Sequence, residues 1–129
     1  MAFPTVQSIT ATAFGTEATA HLVNMPAVVD AGDLLLCFFA GGRNATVTTP
    51  TGWTQLFSVN AGGPGESHHA AYAKDAVGNE GGTTVDFVTS DNENAAAQVY
   101  RITGWAGVVP DDVASATPAT GNSTSPDPP

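Results

Sequence analysis

The side chains that could carry chemistry in this chain are few: 3 histidines, 12 carboxylates and a single cysteine. His68 and His69 are the most suggestive pair. Adjacent residues on a strand point to opposite faces, so their rings cannot readily share one ion. His21 is distant in sequence, and no acidic residue falls at a spacing that completes a metal site with them. The runs Asp91-Asn92-Glu93-Asn94 and Asp111-Asp112 offer oxygen ligands of the kind Ca²⁺ takes. Neither has the spaced ligands of a dedicated loop, and both read as polar turns. Cys37 lies inside the apolar run Leu34 to Phe39 and reads as a small buried hydrophobe. One cysteine allows no intrachain disulfide and no thiolate cluster.

Nucleophile motifs are also missing. No serine sits in a Gly-x-Ser-x-Gly elbow. The loop Ala61-Gly62-Gly63-Pro64-Gly65 lacks the Lys-Ser/Thr ending and the helix that a phosphate loop needs. No pair of carboxylates is nominated for glycosidase work. The expectation is a non-enzymatic chain with no cofactor and no metal. The aromatic residues Tyr72, Trp53 and Trp105 are the candidates for a sugar-binding row, with Tyr72 and Trp105 the possible surface aromatics. Asn44-Ala45-Thr46 and Asn122-Ser123-Thr124 match the N-glycosylation pattern, and chance explains both.

Charge narrows the partners. Lys and Arg total 3 against 12 Asp and Glu, a formal net charge of -9. Phosphate recognition depends on clustered basic side chains, so nucleic acid is excluded as a partner. An anionic membrane surface is excluded on the same ground. The longest apolar run, Leu34 to Ala40, is too short to span a bilayer. The N-terminal residues Met1 to Thr5 show neither a basic nor an apolar leader segment. With Lys74 and Arg101 so outnumbered, each is expected to pair with a carboxylate such as Asp75, Asp86 or Asp33.

The elements that would position these residues are strands. Thr5 to Phe14 alternates and is rich in Thr, Val and Ile, with Gly15 as its expected end. Ala18 to Val23 is a second short strand. Asp33 to Ala40 is the strongest, and its unbroken apolar run predicts a central strand buried on both faces. Gly32 supplies the turn before it, and Asp33 can accept bonds from amides of that turn. Pro50 and Gly52 set a turn that delivers Trp53 to the core. Further strands are expected over Trp53 to Asn60, Glu66 to Ala76, Thr83 to Thr89 and Ala95 to Thr103. About seven short strands at regular spacing predict an all-β antiparallel sandwich, jelly-roll or Ig-like. Its expected core includes Leu34, Leu36, Phe38, Trp53, Leu56, Phe87, Val99, Tyr100 and Ile102.

The composition changes near residue 113. The sandwich is expected over residues 1–112, and residues 113–129 form a Pro/Ser/Thr-rich arm with almost no large apolar side chain. Such a segment cannot build a core and is expected to run extended. Pro118, Pro126, Pro128 and Pro129 would stiffen it as an assembly arm lying on a neighbouring subunit.

Four segments, in order, carry a resemblance: Pro26 to Leu36, Thr49-Pro50-Thr51-Gly52-Trp53-Thr54, Ala71-Tyr72-Ala73-Lys74-Asp75-Ala76, and Ala97 to Gly104. Together they resemble β-sandwich structural proteins of tailed bacteriophages, namely capsid-surface, tail and fibre components. The resemblance spans roughly residues 20 to 105. It implies a virion structural protein, with capsid decoration first and a tail or fibre component next. The partners it implies are further copies of the chain and the major capsid or tail protein, on the virion surface. Proteins of this type continue past a Pro-rich segment into further strands, so an unpaired sheet edge open to a neighbour's strand is expected here. A carbohydrate-binding module that takes a surface glycan, and a subunit of an extracellular filament, are the alternatives from other classes.

Overall fold

The computed structural model describes residues 3–62 and 66–113. Six strands and no helix make up this part of the chain: β1 (Thr5–Asn24), β2 (Leu34–Gly41), β3 (Val47–Thr48), β4 (Thr54–Ala61), β5 (Ser67–Asp75) and β6 (Thr84–Thr103). They form a single antiparallel sheet of order β1-β6-β2-β5-β4, with β3 added to β6. The all-β expectation holds. The expectation of about seven short strands does not, because β1 and β6 are each 20 residues long.

The reason is local. Gly15 does not adopt a left-handed conformation and nothing crowds it, so β1 passes through it extended instead of turning. Asp91 to Asn94 is likewise no turn but the middle of β6. Extra residues at these places bend the ribbon without ending it. The β1–β6 register shifts between Phe14 and Ala18, and again between Ala18 and Ala20. Bulges of this kind bend a strand and increase its local twist.

The bend is large enough to fold the sheet onto itself. Phe39 of β2 lies opposite Ala97 of β6. An extended strand would carry position 87 roughly 33 Å away from position 97. Yet the rings of Phe39 and Phe87 stack with centroids 5.8 Å apart. The first half of β6 therefore lies over β2 and β5. One layer holds residues 5–14 of β1, residues 95–103 of β6, β2, β5 and β4. The other holds residues 18–24 of β1, residues 84–93 of β6, and β3. The sandwich-like packing thus comes from one hydrogen-bonded sheet and not from two separate ones.

Between the layers lie Val23 and Phe87 on one side and Leu35, Cys37, Phe39, Trp53, Tyr72 and Val99 on the other. Phe87 is the hub, with Tyr72 at 5.1 Å and Trp53 at 6.0 Å. Each fully buried large side chain of this kind stabilises the fold by about 1.5–3 kcal/mol. Leu34, Trp53, Phe87 and Val99 are buried as expected, whereas Leu36, Leu56, Tyr100 and Ile102 are only half-buried. Phe38 is 45% exposed. Strand β2 is central, but only its inner face is covered by a second layer. Phe38 projects from the outer face, where it meets Tyr100 edge-on at 5.7 Å.

Turns do what their residues suggest. Gly52, at φ 80°, occupies the third position of a turn closed by the Trp53 amide on the Pro50 carbonyl at 3.1 Å. That position of a type II turn demands a positive φ. Asp33 accepts the Asp30 amide at 2.9 Å, and Arg101 donates to Asp33 and to Asp30, each at 2.6 Å. Lys74 pairs at 2.9 Å with Glu80, not with Asp75, Asp86 or Asp33. Glu80 also accepts the amides of Val77, Gly78 and Asn79. Burial alone would raise its pKa, but the amides and the Lys74 ammonium outweigh burial and hold it at about 2.

Candidate interaction surface

The nominated aromatics are structural. Tyr72 is fully buried and its phenol makes no hydrogen bond among the described residues. Burial pushes its pKa up. Tyr72 is therefore no surface aromatic: its strand faces the layer interior at that register. Trp53 is also buried. Trp105 is half-buried, and its indole donates to Asp75 at 3.0 Å. The other Asp75 oxygen accepts the Val109 amide at 2.9 Å, so Trp105 pins the segment after β6. The three rings make no exposed row. Pro118, Pro126, Pro128 and Pro129 lie outside the described residues.

Two of the three histidines lie in the interior. His21 and His68 are fully buried and flank Phe39, with ring centroids at 5.5 and 6.1 Å. His69 is exposed on the opposite face, as strand alternation requires. Thr89 donates its hydroxyl to the Asp91 carbonyl at 2.9 Å, which leaves His21 Nε2 to donate to Thr89 Oγ1 at 3.2 Å. Desolvation lowers the pKa of His21 despite the opposing charge of Asp86. Desolvation, then the neighbouring His69, lowers that of His68.

Ser58 Oγ and His68 Nε2 lie 3.0 Å apart, the spacing of a nucleophile and its base. Such a pair works when a third group orients the base. His68 Nδ1 makes no hydrogen bond among the described residues. Among the described residues no group of three or more His, Cys, Asp or Glu side chains is placed to hold a metal ion. Cys37 is buried, and desolvation pushes its thiol up to about 12, far from the reactive range.

Glu93 is the least foreseeable of these residues. It sits in the polar run read as a turn, yet it is fully buried at the bend. Its carboxylate occupies the space where Gly41 lacks a Cβ and accepts the Arg43 amide at 3.0 Å. Desolvation raises its pKa, only partly offset by that amide.

What the molecule presents outward is a strand. Among the described residues, residues 5–14 of β1 pair with β6 along one side only. No Lys, Arg, Asp or Glu lies in residues 5–14, nor does a proline or glycine. None of these ten positions is buried; Ser8, Thr10, Thr12 and Phe14 are half-buried and the others exposed. Val6 is 51% and Ile9 54% exposed. Soluble proteins usually protect such edges with charges, prolines or bulges. Within residues 5–14 the device of this kind is the register shift between Val6 and Ser8.

Comparison of the chain with protein families, with characterised proteins and with solved structures finds no match.

Proposed function

We propose that this protein is a non-enzymatic structural subunit that works by assembly, adding its sheet edge to neighbouring subunits. The observation that carries this reading is the open, uncharged edge of β1. An unpaired edge offers backbone donors and acceptors to a strand of another chain, and side chains on alternate positions set which strand fits. The setting we propose is the surface of a virus particle, as a capsid decoration protein of the tailed-phage type. That setting rests on the four segments resembling such proteins; the assembly role rests on the edge. Neighbours would be other copies and the major capsid or tail protein. A repeated shell also lets weak single contacts suffice through avidity.

Immunogold labelling of native material with an antibody to this chain tests the reading. Label on the surface of particles is the expected result. Label confined to the particle-free fraction would overturn it. Among the described residues no helix is long and apolar enough to cross a membrane.

A further inference from the structure

We infer that the partner of the β1 edge is the β1 edge of a second copy, paired antiparallel about a two-fold axis at Ala11. This rests on the assembly reading and names the partner at that same edge. The run from Ser8 to Phe14 is in unbroken register with β6, from Ser8 opposite Arg101 to Phe14 opposite Ala95. It is therefore a straight template. Centring the axis on Ala11 is the choice that uses the whole run. Ser8 then faces the second copy's Phe14, Ile9 its Ala13, Thr10 its Thr12, and Ala11 its Ala11.

That register is self-complementary on both faces. On the outer face the large Ile9 meets the small Ala13, with Ala11 meeting itself at the centre. On the inner face Thr10 meets Thr12, a favourable cross-strand pair. Residues directly opposite in an antiparallel pair point the same way, so inner side chains meet inner ones and outer meet outer. Two-fold pairing of one patch with itself is also the commonest closure among homo-oligomers.

Charge favours the same approach. Two copies each carrying a net charge of -9 repel one another. Contact along residues 5–14 places no charged side chain of either strand at the junction. A basic partner would instead seek the acidic surfaces elsewhere. The opposite sheet edge, β4, is less suited because its register with β5 is interrupted between Gln55 and Phe57.

Sedimentation velocity on the full chain over a wide concentration range reads the outcome. The wild type is expected as a dimer, at twice the 13.0 kDa of one chain. Ala11→Lys opposes two ammonium groups on the axis and is expected to weaken the dimer by at least about tenfold. Ala11 is exposed, so this variant keeps the wild-type circular dichroism. Under mild oxidation Ala11→Cys is expected to form a covalent dimer, and Val77→Cys, 65% exposed on a distant loop, is not. Native Cys37 is buried and does not compete.

A wild type that stays monomeric would overturn the pairing, as would a dimer unmoved by Ala11→Lys. An open series of larger species, the mark of head-to-tail contact between β1 and β4, would overturn it too. Any of these results together with label on particles would leave assembly standing with a different neighbour. Loss of the particle label with an intact dimer would sink the particle-surface reading alone.

Discussion

The two halves of β1 share one strand and one neighbour, yet they have opposite fates. In residues 18–24, His21 and Val23 are buried while Leu22 and Asn24 are exposed. In residues 5–14 no position is buried. The C-terminal half lies over the first layer and takes part in the core. The N-terminal half runs along the margin of that layer, its outer edge unpaired among the described residues. A direct link between them is the Asn24 amide, which donates to Thr12 Oγ1 at 3.0 Å. Burial is thus set by where the bend places each half.

The comparison can be broken hardest at the core. Phe87→Ala removes the ring on which Phe39, Tyr72 and Trp53 converge. A loss of about 3–5 kcal/mol is expected in urea unfolding. Unfolding behaviour unchanged by this substitution would mean that the layers do not pack as described.

The bend itself is sharpened by Gly41→Ala, whose Cβ collides with the Glu93 carboxylate. Overpacking of this kind costs about 1–3 kcal/mol. Pairing Gly41→Ala with Glu93→Ala should recover part of that loss, and purely additive costs in the double variant would argue against the contact.

Acid should separate the halves by chemistry. His21 and His68 have lowered pKa values in the folded state, so below the ordinary histidine value near 6.5 the unfolded chain binds more protons. Stability is then expected to fall as pH drops below about 6.5. Glu80, held at about 2, adds stability above its unfolded value near 4.5 that is lost as pH falls from there toward about 2. Glu93 acts in the opposite sense. Its raised pKa means the folded state holds its proton more tightly, so the stability this adds is lost as pH rises from the unfolded value near 4.5 through its higher folded value. Thermal melts from neutral to acid pH should show a descending midpoint. His68→Gln should flatten the upper part of that descent, and an equally steep profile in the variant would assign it elsewhere.

The smallest effect on stability is expected at the edge. Ala11→Lys should change unfolding free energy by no more than about 0.5 kcal/mol, as surface substitutions usually do, when measured at a concentration where the chain is monomeric. A large loss there would show that residues 5–14 belong to the core after all.

Much of the fold was legible in local pattern. Alternation in Thr5 to Phe14 and in Thr83 to Thr89, the apolar run of β2, and the turns at Gly32 and Gly52 were all readable, since backbone geometry acts at short range. The pairing of Arg101 with Asp33 followed from the scarcity of basic residues. The candidate surface was legible only in part. An open edge was expected, but on the strength of the Pro-rich segment at the far end of the chain and not of β1. Tyr72 was misplaced outward, because alternation says which residues share a face without saying which face is covered.

By itself the sequence determined the class of the fold, the interior position of β2, the inertness of Cys37 in an apolar run and the acidic balance of the chain. The tertiary structure decided that β1 and β6 pass unbroken through Gly15 and the Asp91 to Asn94 run. It also decided that the sheet folds over Phe39, that Glu93 fills the space above Gly41, and that residues 5–14 of β1 lie at the sheet margin with no position buried. The physical reason is range. Strand propensity and turn chemistry are settled within a few residues, whereas a bend, a covered face and an unpaired edge depend on contacts between positions as distant as Phe39 and Phe87.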